Sequence, residues 1–420
     1  MEEAVARWLV SPDAGEFIEQ ARGLIDPSSL SAGTAMRNRL GPDQAAAVLD
    51  LESLRRHGAT KLGAIAGRLF LTRNGLEQAT RWDVARWRAE RIHDLWPKIT
   101  QVIDAGCGLG IDSLACRLVG LEITGIERDL VTAIFAQANL QLDDTKSTDS
   151  TILTAVMEDL DWTHWLANPK TAVFIDPSRR TERGRSWRVD DLQPSWRTIE
   201  SLLTDAAHGD DSRESIRAPV RSKSAVVVKL APGFPRHLLP ASADITWVSH
   251  RGDLVETTLW SYPESTASRQ AVVLKPDQTA GIIQEYRLTV GDITPTAGPL
   301  GAYVYEPDPA VIRSGGIGAL CQLLSAHLVA NQVAYLTSDQ KVVTPYATGF
   351  EIIDSMPFSE KNLRTWASDH HIGIMEIKVR GLDIDPSTLR HRLNLRGKNS
   401  TCVILTPTTD STRALVVSRF

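Results

Sequence analysis

Apolar positions in the first part of the chain fall in stretches rich in Ala, Leu, Arg and Glu, with little of the strict alternation that marks a strand. A helical N-terminal region is therefore predicted over 1–95, with "QAAAVLDLESLRRHG" and "RWDVARWRAERIHDLW" as its clearest helices. Thr80 stands where the second would be N-capped, with Asp83 three positions on. Beyond residue 96 the pattern changes to short apolar or β-branched runs: "QVIDAG", "LEITGIER", "TILTAVME", "TAVFIDP", "SAVVVKLAP", "ITWVSHRG" and "VETTLWSY". Helix-like stretches separate the earlier runs, and the last two lie close together. Alternation of this kind predicts an α/β domain over 96–264, a parallel sheet with helices on both faces.

The remaining pattern divides the rest of the chain. "TDAAHGDDSRESIRAPVRSKS", from Thr204 to Ser224, has little to bury and reads as a surface loop. "PESTASRQ" marks a boundary, followed by a β-rich connecting segment over 265–296 and a smaller α+β domain over 297–420. In that domain "GGIGALCQLLSAHLVAN" sets Ile317, Leu320, Cys321, Leu324 and Leu328 at helical spacing, while "IMEIKVRG" and "CVILTP" read as strands. "YEPDPAVIR" reads as a turn leading into a helix. No internal repeat is visible.

Composition narrows the class. A chain of 420 residues exceeds what one core usually supports, so two or three domains are expected. Apolar residues make up 42% and charged residues 23%, ordinary for a folded protein. The net charge of −5 gives no overall attraction to nucleic acid, so any basic face must be local. Cys107, Cys116, Cys321 and Cys402 have neither the paired spacing of a metal site nor the density of a disulfide scaffold. With an acidic start, "MEEAVARWLV", and no window near the ~20 apolar residues of a membrane span, the chain reads as cytoplasmic.

"VIDAGCGLGIDS" carries the first chemistry. Closely set glycines after a strand let the backbone approach a ligand, and the following helix offers unpaired N–H groups. The form is Asp104-x-Gly106-x-Gly108-x-Gly110, whereas the dinucleotide fingerprint sets its third glycine three positions after the second. No Gly-Lys-Ser/Thr follows to cradle phosphates. Gly-x-Gly-x-Gly behind an acid that ends a first strand resembles the class I S-adenosylmethionine methyltransferases, whose fold is a Rossmann-like sheet. That resemblance implies S-adenosylmethionine as cofactor, with Asp104 near its ammonium. Glu127, ending the next strand, can accept from both ribose hydroxyls. After the third run, in "MEDLDW", Asp159 is the natural partner of the adenine amino group, with Glu158 as the alternative.

The fourth run ends in "FIDPSRRTERGRSW". At this position nitrogen-directed methyltransferases carry Asp or Asn, then Pro-Pro and an aromatic. Here Asp176 and Pro177 match, and Ser178 and Arg179 depart. The resemblance implies that Asp176, with Pro177, positions the methyl acceptor. Arg179, Arg180, Arg183, Arg185 and Arg188 follow at the strand's end, a set suited to a phosphodiester, or else to pairing with Glu182, Asp190 and Asp191. Lys229, ending "VVVKLAPGF", either orients the acceptor, contacts phosphate or packs and pairs with a charge.

"RLFLTRNGLEQAT", "DAGCGLGIDSL", "DPSRRTERGR" and "KLAPGF", followed by "YVYEPDPAVIRSGG", "AYLTSD" and "EIKVRGLDID", together resemble the methyltransferases with a C-terminal THUMP-like domain. The resemblance covers nearly the whole chain and implies an RNA substrate, tRNA or rRNA. From Glu376 to Lys398 six cations (Lys378, Arg380, Arg390, Arg392, Arg396, Lys398) stand against three acids (Glu376, Asp383, Asp385). Lys378 and Arg380 are the tail's candidate RNA contacts. Two other functions fit the sequence: a non-catalytic RNA-binding protein on a methyltransferase scaffold, and a methyltransferase for a small anionic metabolite.

Overall fold

The computed structural model describes residues 1–142, 149–179, 189–207, 224–261, 267–277 and 283–420. They form two compact units, Met1–Asp244 with Thr258–Ala267, and Ile245–Thr257 with Ser268–Phe420. The expected boundaries at 95, 264 and 296 are not where these units part.

Six helices open the first unit: α1 (Glu3–Leu9), α2 (Gly15–Arg22), α3 (Leu30–Arg37), α4 (Pro42–Leu62), α5 (Arg73–Gln78) and α6 (Trp82–Leu95). α4 starts with Pro42, whose missing N–H costs nothing at a helix's first position. Thr80 does not cap α6. Arg81 is the N-cap residue and makes no side-chain cap bond, since a guanidinium has no acceptor, and the Thr80 hydroxyl is committed elsewhere.

The apolar runs then become β1 (Gln101–Ala105), β2 (Glu122–Glu127), β3 (Thr151–Thr154) and β4 (Thr171–Ile175). β5 (Ser178–Arg179) and β6 (Leu192–Gln193) make a short antiparallel ladder of their own, and β7 (Ala225–Leu230) rejoins the main sheet. Pairing is parallel throughout the order β7-β4-β1-β2-β3. Parallel neighbours need crossovers, which α7 (Ile111–Leu118), α8 (Leu130–Leu140), the short α9 (Thr163–Leu166) and α10 (Trp196–Ala207) supply. α10 takes in Thr204–Ala207, the first residues of the segment expected to be a loop.

Central strands are covered on both faces: all five residues of β4 and four of the five in β1 are buried. The chain passes from β1 outward to β2 and β3, then returns to the other side of β1 as β4. A crevice opens where the order reverses, at the carboxyl ends of β1 and β4.

One buried amide fixes the N-terminal region over that crevice. Asn139 of α8 accepts from Phe70 N at 2.7 Å and donates to Phe70 O and to Leu109 O in the glycine loop. α5, begun by Thr72 accepting from Gly75 N, packs on the same loop: a Cβ at Gly75 would come 2.6 Å from Leu109 Cγ.

The second unit begins with β8 (Asp244–His250), whose first residue belongs to the first unit, and with the Asp253–Thr257 part of β9 (Asp253–Ser261), followed by β10 (Arg269–Pro276) and β11 (Ile283–Thr289). β10 runs parallel to β8 and antiparallel to β11. β12 (Tyr303–Pro307) leads through the Asp308 cap into α11 (Pro309–Ser314) and α12 (Ile317–Leu324). α12 stops at Leu324, where Ser325 turns left-handed, so Leu328 belongs instead to β13 (His327–Leu328). The chain continues as β14 (Leu336–Ser338), β15 (Ala347–Pro357), α13 (Glu360–Asp369), β16 (Ile372–Val379), α14 (Pro386–Leu393), β17 (Asn399–Pro407) and β18 (Thr412–Arg419). The seven strands order as β13-β14-β12-β15-β18-β17-β16. Leu363, Ala367, Leu389 and Leu393 of α13 and α14 cover one face. Val329, Val333 and Tyr335 cover the other.

Replacing Asn139 by leucine strands the polar groups of Phe70 and Leu109 while keeping the volume. Asn139→Leu is expected to cost the first unit about 2 to 4 kcal/mol, read by urea unfolding.

Candidate functional site

Glycine is required in the loop after β1 on conformational grounds. Gly106, Gly108 and Gly110 have φ of +84°, +54° and +72°, the left-handed region where a Cβ is strained. The three differ in their surroundings. A Cβ at Gly106 would lie 3.2 Å from Met157 Cε and 3.5 Å from Asp176 O, so the turns after β1, β3 and β4 meet there. At Gly108 nothing lies within 4 Å, and the backbone faces open space. Gly110 caps α7 and lies against Ala136.

Glu127 ends β2 beside this loop. Its carboxylate accepts from Gly108 N at 3.2 Å and from Asp129 N at 2.8 Å, which fixes both oxygens at the loop's edge. Asp159 closes the 3-10 turn Met157–Asp159 after β3; it and Glu158 are exposed.

Asp104 is 1% exposed. Ser113 Oγ donates to its Oδ2, while Oδ1 is buried without a hydrogen-bond partner. Burial, then the nearby Asp112 carboxylate, pushes the Asp104 pKa up to about 7.

Asp176 follows β4 directly, and Lys229 sits near the end of β7. They form an ion pair, Nζ to Oδ2, at 2.5 Å. Lys229 also donates to Thr80 Oγ1 at 3.0 Å, and the Thr80 hydroxyl donates to Asp112 Oδ2 at 2.6 Å. A hydroxyl has one proton; giving it to a carboxylate leaves its lone pairs for the lysine. Asp112 is held from its other side by Arg88, itself buried against the Phe174 ring. The residues Asp176, Lys229, Thr80, Asp112 and Arg88 thus form one continuous polar chain. Burial raises the Asp176 pKa, and Lys229 opposes the rise.

Sequence reasoning missed Thr80, Asp112 and Arg88 as parts of this site. Asp112 and Thr80 lie within quoted motifs, but no spacing joins residues 80, 88 and 112 to 229. The basic loop after β4 is only partly visible. Arg179 pairs through its backbone with Leu192, and Arg180, Arg183, Arg185 and Arg188 lie outside the described residues. In the second unit Lys378 donates to Glu306 Oε2 at 2.8 Å, and Arg380 lies 3.7 Å from Glu306 Oε1 and donates to Ala334 O. Both candidate RNA contacts therefore share one internal carboxylate.

Known proteins resemble the chain as follows. The THUMP domain-like family profile matches residues 347–419. Two curated S-adenosylmethionine-dependent methyltransferases of Mycobacterium tuberculosis, one from each of two strains, are each 30% identical over 386 residues, spanning 88% of this chain and 95% of theirs. A crystal structure assigned to a methyltransferase of Porphyromonas gingivalis W83 has the same fold, with a TM-score of 0.72 at 20% identity over 99% of this chain and 97% of that one.

Two outcomes follow from the geometry. Asp104 loses its proton near pH 3.9 when unfolded and only near pH 7 when folded, so the folded form binds more protons between those values. Stability should therefore fall as pH rises from about 4 to about 7, and Asp104→Asn should remove most of that slope in thermal melts. Thr80→Val leaves partners of the hydroxyl unsatisfied and is expected to cost about 1 to 3 kcal/mol, largely restored by Thr80→Ser.

Proposed function

The chain belongs to the S-adenosylmethionine-dependent methyltransferases, and from that premise we propose that it methylates RNA, tRNA or rRNA, at the crevice between β1 and β4. The observation that carries this reading is the meeting of the glycine loop, the Met157 turn and the Asp176–Lys229 pair around Gly106.

The residues present fit the cofactor. Open space over Gly108 gives the methionine portion room against the backbone. Glu127 stands where ribose hydroxyls can donate to it. Asp159, or its neighbour Glu158, lies on the turn that would meet the adenine. Asp104 offers a buried oxygen without a partner, and a ligand with positive charge would favour its ionised form. S-adenosylmethionine supplies a methyl group already activated on a sulfonium.

With an activated donor, the chain's own task is chiefly orientation, which can contribute roughly 7 to 11 kcal/mol. Asp176 holds the acceptor by accepting its hydrogen bond. Pro177 follows directly and fixes the backbone beside it. Lys229 keeps the Asp176 carboxylate ionised against the cost of its burial and holds its orientation. The α5 segment packs on the loop from the N-terminal side, where it shields the donor from water. RNA as substrate is supported by the THUMP domain-like match at 347–419. Phosphate contact by the arginines after β4 belongs to the same reading, as does a cytoplasmic setting. All four cysteines are free thiols, as a reducing compartment leaves them. No helix among the described residues is long and apolar enough to cross a membrane.

Calorimetry should show binding of S-adenosylmethionine and S-adenosylhomocysteine that is abolished by Gly108→Arg and weakened at least ~10-fold by Glu127→Ala, through lost ribose and loop contacts. With labelled cofactor, methyl groups should enter bulk tRNA or rRNA. Asp176→Asn should lower turnover ~100-fold while S-adenosylhomocysteine still binds. A folded protein that binds the cofactor and labels no RNA would refute the RNA substrate.

A further inference from the structure

With Lys378 and Arg380 both committed to Glu306, a separate group of exposed cations on the other side of the seven-stranded sheet comes into question for a polyanion. We propose that the outer side of α13 and α14, with the turn Asn394–Lys398, is the surface that docks RNA phosphates. This rests on RNA being the substrate.

Three observations carry it. The first is placement. Because Leu363, Ala367, Leu389 and Leu393 face the sheet, Arg364 and Arg392 are left exposed on the outer side, while Arg390 donates from Nε to Met375 O of β16 at 2.9 Å. Arg364 Nη2 donates to Arg392 O at 2.9 Å, which joins the two helices into one patch.

The second is charge. Residues 386–399 contain Arg390, Arg392, Arg396 and Lys398 and no carboxylate, in a chain whose net charge is −5. Arg392 pairs with Glu360 at 3.0 Å. Arg396 and Lys398 have no carboxylate within 4.0 Å among the described residues. Basic residues in the last turn of α14 complement its dipole. That accounts for Arg390 and Arg392, and Arg364 is engaged by Arg392 O, which leaves Arg396 and Lys398 without an ion pair or side-chain hydrogen bond among the described residues.

The third is rigidity. Gly397 N donates to Ile372 O, Asn399 N to His371 O, and Asn399 Nδ2 to His370 O, each at 3.0 Å. A Cβ at Gly397 would lie 1.7 Å from His371 O, and one at Gly373 would lie 1.9 Å from Gly397 O. Only paired glycines let these two backbones touch. The turn that carries Arg396 and Lys398 is thus pinned before any ligand arrives, which reduces the ordering cost of binding. Beside it the exposed His370 ring stacks on Trp366 at 4.1 Å, offering a flat edge to an unpaired base. Three of the five cations are guanidiniums on helices and a fourth is on the turn, the group that matches phosphate bidentately.

The test is binding of fluorescent bulk tRNA to the full chain, titrated between about 50 and 200 mM salt. Arg396→Glu with Lys398→Glu should weaken binding at least ~10-fold and reduce the log–log salt slope by about 2, one unit per lost phosphate contact. Arg396→Lys with Lys398→Arg should retain both, and S-adenosylhomocysteine affinity should match wild type throughout, as a check on folding. If wild type binds tRNA and charge reversal changes neither affinity nor slope, the patch is not the docking surface, and Lys378→Ala then tests the opposite face. If the charge-preserving pair fails equally, the turn is structural and the proposal falls. Absence of tRNA binding by wild type at the lowest salt would remove the RNA reading itself, and this proposal with it.

Discussion

Charge balance under the glycine loop is the constraint on which the first unit depends. Three carboxylates, Asp104, Asp112 and Asp176, are brought together where the carboxyl ends of β1 and β4 meet the start of α7, and two cations, Arg88 and Lys229, answer them. Arg88 pairs with Asp112 and Lys229 with Asp176. Asp104 is left over, with one oxygen on Ser113 and one without a partner, and its affinity for a proton rises accordingly. A cationic ligand would complete this balance in place of that proton.

The same chain of contacts explains why the N-terminal helices belong to the first unit. Thr80 and Arg88 come from the entry and body of α6, Asp112 from α7, and Asp176 and Lys229 from the ends of β4 and β7. Thr80 gives up the role of helix cap to bridge a lysine and a carboxylate. A cap is worth about 1 kcal/mol, whereas hydrogen bonds to charged groups are worth about 1.5 to 3 kcal/mol each. The hydroxyl's choice follows from that difference. Asn139 acts alike on the other side of the loop, fastening Phe70 and Leu109 to α8.

In the second unit one carboxylate again redirects cations. Glu306 stands at the rim of the apolar cluster formed by Val304, Phe350, Ile404 and Tyr335, where an unpaired charge would be costly. Lys378 and Arg380 neutralise it, lying also over the rings of Phe350 and Tyr335. Basic residues two apart on a strand look available in a sequence, but their shared face can point to an acid seventy residues away. Among the described residues, the cations of α14 and its following turn meet no such partner except Glu360.

Local order in the chain was sufficient for much of this. Alternating apolar runs and helical stretches determined the α/β class, because period and length are properties of neighbours along the chain. Glycines at 106, 108 and 110 behind Asp104, with Glu127 one helix and one strand later, determined the left-handed turn between β1 and α7 for the same reason: a strand, a turn and a helix are built from consecutive residues. Partnerships between distant side chains were decided only by the tertiary structure. Lys229 with Asp176, Thr80 with Asp112, and Lys378 with Glu306 depend on which strands and helices lie side by side, and no spacing along the sequence encodes that. The chain specified the chemical groups and the order of its elements; packing chose which charges would cancel and which would remain for a ligand.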